Sequence, residues 1–143
     1  MDTNVTTAPA QDIGLFALNL RSEPQPGQLG APVLELRLLV SPEQETARGL
    51  AVVTQPLQHP VVCSSFVTGP LIIMTVMHPT RTSMRFDLVG HQYDLPPTSD
   101  IVNPENFRAT VVLEENFSKG TVEYQYGIPP DGPVIQQPII RLG

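Results

Sequence analysis

Apolar and polar residues alternate with a period of two in four segments of the chain. Residues 34–40, 84–88, 107–113 and 122–126 each place apolar side chains on one parity and mostly polar side chains on the other. This spacing is typical of a β-strand, whose successive side chains point to opposite faces of the sheet. Because only one face is wholly apolar, the pattern predicts antiparallel strands that pack on a single core.

Less regular apolar stretches lie between these segments and predict further strands; they cover residues 13–21, 48–55, 61–68, 71–77 and 134–140. The 16 prolines fall mainly between the stretches, where turns favour a fixed φ. Proline at more than twice its ordinary frequency of about 5% excludes a helical bundle. We predict an all-β fold, an antiparallel β-sandwich of about eight or nine strands, and leave barrel-like closure open.

The length of 143 residues fits one domain with one hydrophobic core. Residues 1–11 are mostly polar or small, and we expect them to form a flexible tail that precedes a single domain of residues 12–143. Residues 116–120 are expected to join two strands as a hairpin, with Gly120 at the position that needs a positive φ.

Charge and cysteine content exclude several kinds of partner. Lys and Arg number 8 against 14 Asp and Glu, a net charge of −6, so nucleic acid is not an expected partner. The longest apolar run, residues 71–77, is too short for a membrane span. With no recognisable secretory signal, and with the single Cys63 unable to form an internal disulfide, we expect the protein in the cytoplasm.

Motifs for catalysis and metal binding are missing from the sequence, which has no G-x-S-x-G, P-loop, G-x-G-x-x-G or H-E-x-x-H. His59 and Cys63 would lie about 13 Å apart along an extended strand, too far for a base and its nucleophile. Cys63 is therefore expected in the core, and His59, His78 and His91 in solvated loops. We predict a protein that is not an enzyme and has no metal or cofactor, and keep an unrecognised hydrolase as an alternative.

One region combines an aromatic ring with hydrogen-bonding side chains in an expected loop, and it is the candidate ligand site. The candidate residues are His91, Gln92, Tyr93, Asp94, Asp100 and Asn103. They support an alternative function as a lectin-like module that binds a small polar or carbohydrate ligand through its end loops. The oxygens of Asp100, Asn103, Glu105 and Asn106 also leave a calcium site open, although their order is not that of a known calcium loop.

Residues 71–77 form the most apolar segment of the chain. Both faces of such a strand need cover, which either residues 134–140 or a second subunit would provide. The candidate interface residues are Leu71, Ile73, Thr75 and Met77. The favoured function is therefore non-catalytic, through self-assembly as a homo-oligomer or through association with another protein.

Several short motifs resemble, in their order and spacing, a family of small bacterial proteins known as domain of unknown function 1842. They are residues 13–16 (IGLF), 30–36 (GAPVLEL), 74–77 (MTVM), 112–115 (VLEE) and 120–126 (GTVEYQY). The similarity spans about residues 12–127 and implies a compact bacterial β-domain. Because the family has no assigned activity, the resemblance implies no catalytic or binding residue.

Overall fold

A computed structural model describes residues 14–27, 30–56, 61–77, 80–93 and 103–143. Within these ranges the strands are β1 (Phe16–Ser22), β2 (Val33–Ser41), β3 (Thr46–Gln55), β4 (Val61–Met77), β5 (Thr80–Gln92), β6 (Glu105–Glu114), β7 (Lys119–Tyr126) and β8 (Ile135–Arg141). Each strand pairs antiparallel with the next, and β8 pairs with β1, so the sheet closes into a barrel. The all-β antiparallel prediction is confirmed, and the closure that the sequence left open is the architecture adopted. No helix in the described ranges is long and apolar enough to cross a membrane.

The barrel interior is filled by the residues that the alternation predicts. In β2, Leu34 and Leu36 are fully buried, whereas Glu35 and Arg37 are exposed. The other members of the core are Leu18, Leu20, Leu38, Val40, Ala47, Ala51, Val53, Val67, Leu71, Phe86, Leu88, Phe107, Ala109, Val111, Leu113, Val122, Tyr124 and Ile139. Burial of one large apolar side chain stabilises the fold by roughly 1.5–3 kcal/mol. A shift of one residue in the pairing of a strand would move all its apolar side chains to the solvent face, so the alternation fixes the register.

β4 is one strand of 17 residues, whereas the sequence predicted a break at Gly69 and Pro70. Gly69 allows the neighbouring backbone to approach closely, since a Cβ there would lie 1.7 Å from the carbonyl oxygen of Asp87. The nitrogen of Pro70 faces β5, because the N–H of the next residue, Leu71, points to the opposite side, toward Glu45. The ladder to β5 is interrupted here, between the pairs Thr68–Val89 and Leu71–Phe86, and a missing backbone donor is tolerated at such an irregularity. The predicted break is therefore wrong: the Gly-Pro pair lies within a paired strand and marks no turn.

Residues 115–118 form the predicted turn between β6 and β7. The positive φ, however, falls on Phe117 (φ 59°) and not on Gly120 as predicted. Gly120 lies in β7, where a Cβ would be 1.8 Å from the carbonyl oxygen of Val112. The ring of Phe117 meets that of Phe16 edge to face at 5.4 Å, a favourable aromatic arrangement that offsets the cost of the backbone conformation and covers this end of the core.

The two ends of the barrel carry different connections. One end, here called the hairpin end, has the turns at residues 42–45 and 115–118 and the tip of the β4–β5 ribbon. The opposite end, here called the mouth, carries the connections that follow β1, β3, β5 and β7. β8 pairs with β7 and β1, across the barrel from β4. Of the two covers considered for residues 71–77, residues 134–140 are therefore not the one.

Candidate functional site

Buried polar side chains are concentrated near the mouth, whereas Ser41 is the one buried polar residue at the hairpin end among those described. Ser22, Ser65 and Gln137 occupy inward positions on β1, β4 and β8 and are buried. Asn106 is also buried; it lies at the start of β6, beside the β-bulge in which the register shifts between Gly90 and His91. A bulge of this kind redirects a side chain away from the regular alternation. The mouth is therefore the polar end of the core.

A hydrogen-bond network joins β4 to β6 across the intervening strand β5. The hydroxyl of Ser65 donates to Oδ1 of Asn106 at 2.6 Å, and Nδ2 of Asn106 donates to the carbonyl oxygen of Ser64 at 3.1 Å. Gly90 of β5 makes room for this contact, because a Cβ there would lie 2.8 Å from the Cβ of Ser65. Each bond satisfies a buried polar group whose desolvation without a partner would cost about 1–3 kcal/mol.

A second network holds Tyr124 in place. Its hydroxyl donates to Oε1 of Gln137 at 2.9 Å, and Nε2 of Gln137 donates to the carbonyl oxygen of Pro32 at 2.8 Å. Burial raises the pKa of Tyr124 well above its ordinary value, and the hydrogen bond with Ser22 opposes this shift only in part. The phenol therefore stays protonated and acts as a fixed donor within the wall of the mouth.

Tyr126 lies between two neighbouring cavities. Its hydroxyl donates to Oε1 of Gln55 at 2.9 Å, and its ring stacks on that of Tyr124 with the ring centroids 6.3 Å apart. Partial burial raises the pKa of Tyr126, and the nearby Cys63 adds to the shift. This side chain, with its hydroxyl protonated, lines both cavities.

The cavities at the mouth are large enough for a small molecule. The larger has a volume of about 790 Å³ and is lined by Val62, Cys63, Ser64, Gln92, Tyr93, Asn106, Tyr126, Gly127 and Ile128. The smaller, about 400 Å³, is lined by Pro32, Gln55, Tyr126, Gly132, Pro133 and Ile135. Ligand sites typically occupy about 300–1,000 Å³. None of these described lining residues carries a formal charge.

Cys63 lies between the core and the larger cavity. Its side chain is partly buried and packs against the core, and it also lines the cavity, which the sequence-based prediction of a core residue did not include. The thiol donates to the carbonyl oxygen of Asn106 at 3.6 Å and lies 3.9 Å from the hydroxyl of Ser65. The thiol thus adds a further contact between β4 and β6.

The structure brings two of the predicted ligand residues, Gln92 and Tyr93, to the larger cavity. Asn103 stabilises the end of β5, since its Nδ2 donates to the carbonyl oxygen of Gln92 at 2.9 Å. β5 continues to Gln92, so His91 and Gln92 belong to a strand and not to the expected loop. His91 is half-buried and is not among the described residues that line the cavity. The remaining residues of interest, Asp94, Asp100, His59 and His78, lie outside the described residues.

The side chains considered for calcium have other partners. Glu105 forms an ion pair with Arg108, the amide of Asn106 bonds to Ser65, and Asn103 bonds to the backbone of β5. In the part of the chain that the structure describes, no three His, Cys, Asp or Glu side chains come together to hold a metal ion.

Sequence reasoning missed three residues of the mouth. The sequence places Asn106 in the polar loop of residues 100–106, as part of the lectin-like alternative and as a calcium ligand, but predicts no buried role for it. The alternation assigns Tyr126 to the core, and Gln55 carries no signal. Tyr126 shares the parity of the buried Val122, so alternation alone could not place it at the end of the core. Ser65 and Gln137 gave a usable signal, because a polar residue at an inward position of a strand needs a buried partner.

The residues predicted for a subunit interface lie at the hairpin end. Leu71 is buried in the barrel core and therefore offers no surface to a partner. Ile73 is 54% exposed and Met77 is 64% exposed, and Thr75 is exposed as well. The apolar surface of this segment thus begins beyond Leu71.

Comparison with known proteins identifies the family of the chain. No curated protein matches it. A family model described as a domain of unknown function (DUF1842) matches residues 13–129. This range is close to the one in which the short motifs lie, and it includes most of the eight-stranded barrel. The chain therefore belongs to the DUF1842 family.

Proposed function

We propose that this protein binds a small, uncharged molecule rich in hydroxyl or amide groups at the mouth of the barrel, and that it does so without catalysis. The observation that carries the proposal is the cavity of about 790 Å³, which combines polar side chains with apolar surface. Eight-stranded barrels hold a single small ligand in other protein families, so the architecture suits this role.

The described part of the lining favours a neutral ligand. A charged group moved from water into a cavity without an opposite charge loses solvation that hydrogen bonds alone do not replace. Among the described lining residues, Gln92 offers an amide and Tyr126 a hydroxyl oxygen that can still accept a hydrogen bond, whereas the amide of Asn106 is already bonded to β4. Hydroxyl and amide groups of a ligand would pair with these at little desolvation cost.

The apolar part of the lining favours a ligand that also has a hydrocarbon face. Val62, Ile128 and the ring of Tyr93 border the same cavity, and Tyr93 is itself held edge to face against Phe66 at 4.6 Å. A sugar ring presents C–H groups on one face and hydroxyl groups around its edge, and so matches both parts. A mono- or disaccharide is therefore the ligand class that we propose.

The described lining supports binding without catalysis. The pKa of Tyr126 is raised by burial, and the thiol of Cys63 donates to the carbonyl oxygen of Asn106. The described lining residues include no His, Asp or Glu to take a proton from either group, as activation of a nucleophile requires. Self-association, the other function that the sequence predicts, concerns the hairpin end, so the two functions use separate surfaces.

A thermal-shift screen tests the proposal. The probes are glucose, galactose, mannose, N-acetylglucosamine and lactose, with glucuronate as a charged analogue of glucose. A ligand at 100 times its Kd stabilises by about 2.7 kcal/mol, which corresponds to a rise in Tm of roughly 5–10 °C for a chain of this size. We expect such a rise with at least one neutral sugar, and weaker binding of glucuronate than of glucose if glucose binds.

Two variants locate the effect. Gln92→Ala removes an amide from the cavity lining, and Gln136→Ala, the matched control, removes an exposed amide from β8. We expect Gln92→Ala to weaken sugar binding at least tenfold, the equivalent of about 1.4 kcal/mol, and the control to bind as the unmodified protein does. The absence of any shift with the neutral sugars, or an equal shift in both variants, would contradict the proposal.

A further inference from the structure

The β4–β5 ribbon extends beyond the barrel at the hairpin end. β3 pairs with β4 only as far as Thr46, opposite Pro70, whereas β4 continues in its pairing with β5 to Met77. Over residues 72–76, the described part of the chain places β5 along one edge of β4 and no strand along the other. This second edge of residues 72–76 is here called the free edge.

Backbone groups of β4 point into the free edge. The N–H of Leu71 donates to the carbonyl oxygen of Glu45 at 2.8 Å, on the side away from β5. In a strand paired antiparallel, alternate residues direct their N–H and C=O to the same side, so those of Ile73 and Thr75 also face away from β5. No strand among the described residues takes up these groups, which are suited to pair with an added strand.

The side chains along the free edge lack the usual protection. Exposed strand edges of natural proteins generally carry charges, prolines or bulges that prevent pairing with another chain. Residues 71–77 contain no charged residue and no proline, and Ile72, Ile73 and Val76 are exposed on the two faces of the ribbon. An edge that is apolar on both faces is typical of a pairing surface.

We propose that the free edge pairs with the same edge of a second copy of this chain, so that the two ribbons form one continuous antiparallel sheet. Only an extended strand supplies N–H and C=O groups in register with those of Ile73 and Thr75, and only an apolar strand suits the uncharged side chains around them. The free edge of a second copy meets both requirements. The antiparallel arrangement also gives the two-fold symmetry that is commonest in dimers.

The position of Glu45 sets the register of this pairing. Because Glu45 already lies opposite Leu71, the second copy has room only further along β4. A two-fold axis at Thr75 satisfies this condition and places Thr75 opposite Thr75 of the second copy, with their backbone groups exchanging two hydrogen bonds. The same axis places Met74 opposite Val76, so apolar side chains meet across the interface.

Residues 1–13 of the same chain are a less suitable occupant. They precede β1, which begins at the hairpin end, and so are near enough in sequence to be considered. Their sequence contains Asp2, Pro9 and Asp12 and few large apolar side chains, so they would offer little apolar cover to the edge. Binding of this segment in place of a second copy is an outcome that the experiment below distinguishes.

The first test measures the mass of the full chain by light scattering over a range of concentrations. We expect a species with twice the chain mass of 15.6 kDa. Thr75→Pro removes the backbone donor that faces the free edge and leaves the pairing with β5 in place, so it should yield a monomer. Thr75→Val, which keeps the donor and the strand propensity, should remain a dimer.

The second test fixes the register. In a chain with Cys63→Ser, Thr75→Cys should form an intermolecular disulfide under mild oxidation, because hydrogen-bonded antiparallel pairs have Cα atoms about 5.5 Å apart, within the range for a disulfide. Thr68→Cys is the matched control, since Thr68 is exposed on the wall of the barrel between β3 and β5.

Specific outcomes would overturn the proposal. They are a monomer at every concentration, a dimer that survives Thr75→Pro, and cross-linking that is no faster for Thr75→Cys than for Thr68→Cys. If residues 1–13 cover the edge, the unmodified chain is a monomer, and a chain that lacks residues 1–11 forms a dimer in light scattering. This result also contradicts the proposal. None of these results bears on sugar binding at the mouth.

Discussion

The hydrogen bond between Ser65 and Asn106 should contribute measurably to stability, and Asn106→Ala is the variant that tests it. The change removes two side-chain hydrogen bonds, at 2.6 Å and 3.1 Å, and leaves the hydroxyl of Ser65 buried with its acceptor gone. The carbonyl oxygen of Ser64 retains the N–H of Tyr93 as a donor at 3.2 Å. The main cost is therefore the two lost bonds and one unsatisfied hydroxyl.

The magnitude follows from typical values for such groups. Two hydrogen bonds contribute about 0.5–1.5 kcal/mol each, and an unsatisfied buried hydroxyl costs about 1–3 kcal/mol. Because these contributions overlap, we expect Asn106→Ala to lower the free energy of unfolding by about 2–4 kcal/mol. Asn116→Ala is the matched control: its side chain is exposed and bonds to Ser118 at the hairpin end, so its cost should be below about 1 kcal/mol.

Urea unfolding followed by circular dichroism provides the measurement, with Ser65→Ala and the double variant completing a cycle. We expect the double variant to be less destabilised than the sum of the two single variants by about 0.5–3 kcal/mol, because the two side chains share one bond. A cost for Asn106→Ala no larger than that for Asn116→Ala, or strict additivity in the cycle, would refute the reasoning.

Three further predictions concern the barrel itself. Gly69→Ala places a Cβ 1.7 Å from a backbone oxygen, so urea unfolding should show a loss above the 1–3 kcal/mol usual for overpacking, and a loss below about 1 kcal/mol would contradict the close approach. Leu36→Ala should lower the free energy of unfolding by about 2–5 kcal/mol, and Arg37→Ala, at its exposed neighbour, by less than about 0.5 kcal/mol. Similar losses in the two variants would contradict the assignment of Leu36 to the inner face and Arg37 to the outer face. Burial raises the pKa of Tyr124 in the folded state. The contribution of Tyr124 to the free energy of unfolding is therefore present at neutral pH and is lost as the pH rises above about 10, the pKa of tyrosine in an unfolded chain. Unfolding measured across this range should show a smaller decline for Tyr124→Phe, and an unchanged decline would show that another group is responsible.

The sequence predicts the strands well because one physical signal determines them. In β2 and β6 every second residue is apolar, and these are the residues that fill the barrel. The same signal cannot distinguish a sandwich from a barrel, since both architectures bury one face of each strand. Closure depends on the pairing of β8 with β1, which involves residues more than a hundred positions apart and leaves no local pattern.

The positions that sequence reasoning misplaced are those where the backbone departs from regular geometry. Gly69 and Gly120 were interpreted as turn residues because glycine is frequent in turns, yet both lie in strands where a neighbouring backbone comes too close for a Cβ. Asn106 is buried beside a β-bulge, and the bulge shifts the parity from which burial is inferred. Such irregularities depend on the assembled sheet and not on the local sequence.

The candidate site was predictable only in part for a similar reason. Gln92 and Tyr93 were identified because an aromatic ring beside hydrogen-bonding groups is recognisable in the sequence. Their partners Cys63, Asn106 and Tyr126 come from three other strands, and only the closed barrel brings them together. The sequence therefore indicates one side of the mouth and the fold provides the rest.

Tyrosine fluorescence during a sugar titration is the most direct test of ligand binding at the mouth. The chain has no tryptophan, and its three tyrosines, Tyr93, Tyr124 and Tyr126, all lie at or beside the mouth cavities. For a neutral sugar that raises the Tm, we predict a saturable change in emission with the same Kd as the thermal shift, retained in Gln136→Ala and weakened at least tenfold in Gln92→Ala. Emission that stays constant while the Tm rises would place the sugar elsewhere on the protein and contradict the account.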